Sequence, residues 1–191
     1  MRPGILLDRD GVINKNRPDH IKCWSEFEFL PGTLDALRSL ATLGLPIAVV
    51  TNQSVIGRGL ASQGTIEDIH ERMLAAVRAT GGRIDGVWYC PHAPGAGCEC
   101  RKPAPGLLIA AATALNFDLH RSFLVGDAVS DMQAALAVGA YPIMVRTGRG
   151  VLMQPQTRAL HDVPEFALVD DLQAAVDWVY RTIETSVFRT V

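Results

Sequence analysis

The sequence lacks any long apolar run. Its least polar stretch, Gly106 to Leu115, is Ala-rich and falls well short of the roughly 18 residues a membrane-spanning helix needs. The amino-terminal run Ile5 to Leu7 is far too short for a signal-peptide core, and Arg2, Asp8, Arg9 and Asp10 crowd it. No secretion signal is legible, so a soluble, cytoplasmic protein is expected. An excess of one charge is also missing. Eighteen Lys and Arg against twenty Asp and Glu leave −2, which excludes a chain-wide basic field for nucleic acid or an anionic membrane but not a local cluster for phosphate. Cysteine is scarce, with four residues in 191, and Cys90, Cys98 and Cys100 are bunched while Cys23 stands alone. That number and spacing do not make a secreted disulfide scaffold and point to metal first. Internal repeats, low-complexity tracts and a second-domain boundary are absent as well, and the length suits about one domain spanning residues 1–191. What is present, 48% hydrophobic and 20% charged residues, is the composition of a chain with a sizeable core.

Short apolar runs alternate with stretches of helical period. Strands are expected at Ile5 to Leu7, Pro46 to Val50, Val87 to Tyr89, Phe123 to Val125, Pro142 to Val145 and Leu168-Val169. Helices are expected at Thr33 to Leu43, Thr65 to Ala79, Pro105 to Leu115, Asp131 to Val138 and Leu172 to Ile183. Gly44 and Gly139 are placed to stop the first and fourth, and a Thr65/Asp68 pair resembles a capping box. The irregular segments are Val12 to Pro31, Cys90 to Pro105 and Thr147 to Pro164. Such alternation implies right-handed crossovers and a doubly wound α/β domain, a parallel sheet with helices on both faces. Ligands of such sheets lie beyond the carboxyl ends of the strands, where Asp8, Thr51, Cys90 and Asp127 are expected.

The chemistry at that edge is acidic with two cations nearby. Asp8 and Asp10 sit at i and i+2 after the first strand, so in extended chain both carboxylates face one volume, and a hard cation such as Mg²⁺ would relieve their repulsion. Asp127 and Asp131 form a second acidic pair at a helix entry, one able to reach a metal while the other supports it. Thr51-Asn52 offers a hydroxyl and an amide, and Arg101-Lys102 offers a planar fork beside a point charge. Taken singly, each motif has an ordinary reading as a loop pair, a helix cap or a solvated surface pair.

Taken together, DRDGV, TNQS, RKPAPG and VGDxxxD stand in the order and at the strand ends that resemble the haloacid dehalogenase superfamily of phosphohydrolases, across about residues 5 to 145. The resemblance implies that Asp8 is the nucleophile and Asp10 the general acid, then base. It implies that Thr51 and Lys102 hold the phosphoryl oxygens and that Asp127 binds Mg²⁺ with Asp8 and the main-chain carbonyl of Asp10, with Asp131 in support. Phosphoryl transfer needs in-line positioning and neutralised equatorial oxygens, which suits those roles.

The segment CPHAPGAGCECRKP places Cys90, His92, Cys98 and Cys100 as C-x-H-x5-C-x-C. Three thiols and an imidazole complete a tetrahedral, hence structural, zinc set, which would pin a Pro/Gly-rich loop and carry Arg101 and Lys102 to the phosphate. Unliganded loop thiols are the plainer alternative, and Cys23 reads as an incidental, partly buried thiol. The loop narrows the resemblance to the subgroup of heptose-bisphosphate and histidinol-phosphate phosphatases. TNQSVIGRG and RKPAPGLL are similar to the heptose family's motifs, which implies removal of the 7-phosphate from a phosphorylated small-molecule sugar, D-glycero-D-manno-heptose 1,7-bisphosphate. Substrate contacts would come from Asn16, Arg17, Pro18, Asp19, Asn52, Gln53, Ser54 and Arg101 besides Thr51 and Lys102. Val55 and Ala128 depart from the family pattern, where Gly and Lys are usual. The roughly forty residues between Asp8 and Thr51 leave no room for a large cap domain, so an open site clasped by loops and a monomeric enzyme are expected. Histidinol phosphatase is the alternative within this class, and a receiver-like phosphoacceptor domain the alternative outside it. Asp10 argues against the receiver, which needs no leaving-group acid.

Overall fold

Ile5, Leu6 and Leu7 are wholly buried because the strand they form, β1 (Ile5–Leu7), lies inside a sheet covered on both faces. The computed structural model describes residues 1–150 and 166–187. Along the chain follow α1 (Thr33–Ala41), β2 (Ile47–Asn52), α2 (Gln63–Ala79), β3 (Gly86–Cys90), α3 (Gly106–Leu115), β4 (Phe123–Gly126), α4 (Val129–Ala137), β5 (Tyr141–Val145), β6 (Ala167–Val169) and α5 (Leu172–Val187). The strands form one parallel six-stranded sheet ordered β3-β2-β1-β4-β5-β6. The chain winds outward from β1 to β3, then returns to β4 beside β1. The crevice beyond the β1 and β4 carboxyl ends is therefore the topological switch point.

The pleat distributes the core. Ile5 and Leu7 join Leu37 and Leu40 of α1, Ile66, Ile69 and Met73 of α2, and Val176 and Val179 of α5 on one face. Leu6, Ala48 and Val50 face the other way, onto Leu107, Leu108 and Ala111 of α3 and Ala134 and Ala135 of α4. The Ala-rich character of α3 thus belongs to a helix packed closely on the sheet. Residues 8–32 between β1 and α1 form a loop whose Val12, Ile13, Ile21 and Phe27 join the core on the α1 face of the sheet. Trp24 stacks on Phe27 at 5.0 Å, Phe27 meets Phe29 edge-on at 5.0 Å, and Ile13 O accepts from Leu30 N at 3.0 Å. The described residues contain no large cap.

The doubly wound architecture expected from the sequence is present, and the differences lie at element ends. Helix α2 starts two residues before Thr65, because the Ser62 hydroxyl accepts from Thr65 N at 3.1 Å and caps it. Thr65 and Asp68 are therefore not a capping box, and Asp68 instead pairs with Arg72 at 3.0 Å. Helix α4 starts at Val129, before Asp131, whose carboxylate reaches back to accept from Ala128 N at 3.1 Å. Helix α1 ends at Ala41, two residues before Leu43, where the chain tightens and Thr42 N reaches Ser39 O at 3.0 Å. Of the irregular segment expected at Thr147 to Pro164, the part from residue 151 lies outside the described residues.

Candidate active site

Asp8 follows β1 directly, its N–H donating to Val125 O at 2.9 Å, so pairing with β4 fixes where its carboxylate emerges. Asp127 follows β4, and the Lys102 loop returns above β2. Lys102 Nζ donates to Val50 O at 2.7 Å and lies 3.0 Å from Asp8 Oδ1 and 2.6 Å from Asp131 Oδ1. The loop is latched twice, by Asn52 Nδ2 donating to Lys102 O and Lys102 N donating to Asn52 Oδ1, both at 3.1 Å. The TNQS and RKP motifs are thus one unit in space.

Oxygens of Asp8, Asp127 and Asp131 lie within 4.8 Å of one another. Burial, with Asp131 and Asp10 nearby and against the pull of Lys102, raises Asp8 to about 6. Burial and the charges of Asp8 and Asp131 raise Asp127 to about 7, although its Oδ2 accepts from Arg149 N at 2.8 Å. Lys102 moves the other way, since Asp131 and Asp8 outweigh its burial and raise it. Three buried carboxylates around one ammonium are short of positive charge, and a divalent oxygen-binding cation fits that deficit. Gly11, at φ +92°, lies so close that a Cβ there would overlap Asp127 Oδ2.

Asp10 is held differently. It accepts from Arg9 Nη2 at 3.1 and 3.0 Å, from Asn14 Nδ2 at 2.9 Å and from Gln53 Nε2 at 2.8 Å. Burial works against its charge, but Arg9 and the hydrogen bonds of Asn14 and Gln53 hold the carboxyl below its usual range.

A cavity of about 220 Å³ opens over these groups, lined by Asp8, Asp10, Asn16, Arg17, Thr51, Asn52, Gln53, Ser54, Arg101, Lys102, Asp127 and Asp131 from the sequence expectation. His20, Ile21, Val55, Ala128, Ser130 and Arg149 line it too. Pro18 and Asp19 are not in that lining; Asp19 pairs with Arg17 at 3.1 Å and Lys22 at 2.8 Å. Asn16 Nδ2 reaches Asp127 Oδ2 at 3.4 Å. His20 and Arg149 belong to no motif of the sequence, and Ser130 occupies an unspecified position of VGDxxxD, so only folding shows that they reach the cavity. Val55 is buried and does not have a positive φ, in keeping with its side chain.

Cys90, His92, Cys98 and Cys100 converge beside this cavity. Their sulfurs are 3.2 to 3.6 Å apart, and His92 Nδ1 lies 3.2 Å from Cys100 Sγ and 3.5 Å from Cys90 Sγ. The sulfur separations are too long for a disulfide and close to the edge of about 3.7 Å expected for a zinc–thiolate tetrahedron. Burial and the neighbouring thiols push Cys100 up to about 12, while backbone N–H groups and the adjacent sulfurs draw Cys98 down to about 7 against burial. A soft cation would let all three ionise. Gln53 N donates to Cys90 O and Gly57 N to Pro91 O, each at 2.8 Å, so this loop is tied to the one following β2. Cys23 lies apart, half-buried, 3.1 Å from Ser25 Oγ.

This sheet, with the carboxylates of Asp8, Asp127 and Asp131 gathered at the β1/β4 switch point and a buried lysine between them, is that of a phosphatase of the haloacid dehalogenase class, and the HAD-hydrolase-like family model matches residues 99–175. The chain is 44% identical over 173 residues to a D-glycero-beta-D-manno-heptose-1,7-bisphosphate 7-phosphatase of Pseudomonas putida, covering 90% of this chain and 95% of that one. It is 37% identical to the enzyme of that name from Escherichia coli K12, covering 85% and 92%. Among solved structures, the D,D-heptose 1,7-bisphosphate phosphatase of B. bronchiseptica, complexed with magnesium and phosphate, superposes with a TM-score of 0.85 at 37% identity, covering 94% of this chain and 99% of that one. The chain belongs to the D-glycero-beta-D-manno-heptose-1,7-bisphosphate 7-phosphatase family.

Proposed function

We propose that this protein removes the 7-phosphate of D-glycero-β-D-manno-heptose 1,7-bisphosphate through an aspartyl-phosphate on Asp8. The observation that carries the reading is the floor of the cavity, where Lys102 bridges Asp8 and Asp131 beside Asp127. An Asp8 oxygen attacks phosphorus while the sugar O7 departs and takes a proton from Asp10. Asp10 then takes a proton from the water that attacks the same phosphorus, releasing phosphate and restoring Asp8. Lys102 and the Thr51 hydroxyl hold the phosphoryl oxygens. Mg²⁺, held by Asp8, Asp127 and the main-chain carbonyl of Asp10 with Asp131 supporting through Lys102, supplies the charge that neutralises the equatorial oxygens. Zn²⁺ on Cys90, His92, Cys98 and Cys100 has a structural role, fixing the loop that carries Arg101 and Lys102.

Asn16, Arg17, Asn52, Gln53, Ser54 and Arg101 would contact the sugar or its second phosphate, with Pro18 and Asp19 shaping the loop behind Arg17. We read residues 1–191 as one catalytic domain working as a cytoplasmic monomer. Steady-state kinetics on both heptose bisphosphate anomers and on histidinol phosphate test the substrate. The β anomer should give the highest kcat/KM, and preference for histidinol phosphate would refute the assignment. Asp8→Asn should lower kcat more than about 1,000-fold with the fold intact.

A further inference from the structure

We infer that Arg9 and His70 are positioning residues for Asp10, a buried clamp that aims the proton donor at the leaving oxygen. The inference rests on the proposed role of Asp10 as general acid. Arg9 is fully buried, and its guanidinium sits about 6.0 Å from the Phe27 ring centroid. Nη2 grips both Asp10 oxygens and also donates to Gln53 Oε1 at 3.1 Å. Nη1 meets His70 Nε2 at 3.0 Å, 61 residues away on α2. A guanidinium has only donors, so His70 Nε2 must be the acceptor and the imidazole neutral, its proton on Nδ1. Burial, with the Arg9 charge at that contact, drives the His70 pKa down to about 3.

The geometry explains why a histidine stands inside α2. Asp10 lies on a loop after β1, and a carboxylate rotates freely unless its partners are fixed. Asn14 belongs to the same loop, so it cannot hold Asp10 against the sheet. Gln53 adds one anchor, donating to Thr51 Oγ1 at 3.0 Å. Arg9 adds a planar fork, and that fork is fixed only if its far nitrogen is held. His70 is half-enclosed by Tyr89, whose ring lies 5.3 Å away and whose hydroxyl donates to Glu67 Oε1 at 2.7 Å. The helix-borne imidazole thus transmits the rigid packing of α2 to the catalytic carboxyl group. Arg9 is not itself in the cavity lining; its guanidinium stands behind Asp10 and Gln53, and only its backbone N–H reaches Asp8, donating to Oδ1 at 2.8 Å, which separates the side chain's role from phosphate binding.

Leaving-group dependence reads the placement of a general acid. An alkyl phosphate needs a proton on the departing oxygen, whereas p-nitrophenyl phosphate releases a stable phenolate without one. His70→Leu should lose at least about tenfold more kcat/KM on heptose bisphosphate than on p-nitrophenyl phosphate. His70→Gln, which keeps an acceptor for Arg9, should stay within about threefold of the parent on both. Arg9→Lys, which cannot fork, should repeat the selective loss and serves if His70→Leu does not fold. Equal losses on the two substrates, or no loss, would overturn the clamp. Asp10→Asn separates the two levels of the argument. If it fails to discriminate between the substrates, the general-acid reading falls; if it discriminates while folded His70 and Arg9 variants do not, only the clamp falls.

Discussion

Asp8 and Asp10 lie two residues apart, yet the fold gives them opposite environments. Burial among carboxylates raises the one, while Arg9, Asn14 and Gln53 outweigh burial and lower the other. The D-x-D spacing was legible because i and i+2 share a side in extended chain. The identity of Arg9 was not, since an arginine between two acids reads as a solvated charge until His70, 61 residues later, closes on it. His70 has its own consequence for stability. Its folded pKa, about 3, lies below the ordinary 6.5, so between those values the unfolded chain binds more protons and stability falls as pH falls. The acid limb of the unfolding free energy against pH, measured by chemical denaturation, should therefore be flatter in His70→Gln by roughly 1 kcal/mol per pH unit below 6.5, and an unchanged limb would contradict the buried neutral imidazole. Gly11→Ala should cost about 1–3 kcal/mol by strain at φ +92° and should weaken magnesium binding by displacing Asp127; chemical denaturation and metal titration of the variant check both.

At the scale of elements, the strands and helices were legible because their periodicity matched the layers they joined. The starts of α2 and α4 were not, because caps depend on which hydroxyl or carboxylate the chain can turn back. Ser62 won at α2, and Asp131 at α4 serves the cap and Lys102 at once. Four metal-type ligands within eleven residues made the cysteine loop legible, but its docking on the loop after β2 was not. That docking needs Gly57, where a Cβ would meet Ala93 N at 2.6 Å and Pro91 O at 2.8 Å. Elemental analysis should find about one zinc per chain. Cys98→Ser should lose it, lower the melting temperature by roughly 4–8 °C, as a loss of about 2 kcal/mol does in a chain of this size, and raise KM through displacement of Arg101 and Lys102. Zinc-free protein with unchanged stability and KM would refute a structural zinc.

For the whole molecule, a net charge of −2 conceals a segregated pocket, with carboxylates at the switch point and Lys102 beneath them. Sequence order alone gave the alternation of elements. The strand order that sets β4 beside β1, and with it Asp127 beside Asp8, comes from long-range pairing. The segregation makes metal binding depend on pH. Without metal, Asp8 and Asp127 have folded pKa values of about 6 and 7, above their ordinary 3.8, so their contribution to stability is fully present below pH 3.8 and is lost as pH rises from there through 6 to 7. Magnesium bound there would replace those protons. At a hundredfold excess over Kd it should stabilise the protein by about 2.7 kcal/mol at pH 7.5 and clearly less at pH 5; equal shifts in melting temperature at both would show that it binds elsewhere.

The most direct measurement of the central claim is a ³¹P NMR time course of the magnesium-loaded protein with D-glycero-β-D-manno-heptose 1,7-bisphosphate. The 7-phosphate resonance should disappear as inorganic phosphate grows in, the 1-phosphate should persist, and Asp8→Asn should leave both signals in place. Loss of the 1-phosphate, or phosphate release undiminished in Asp8→Asn, would contradict it.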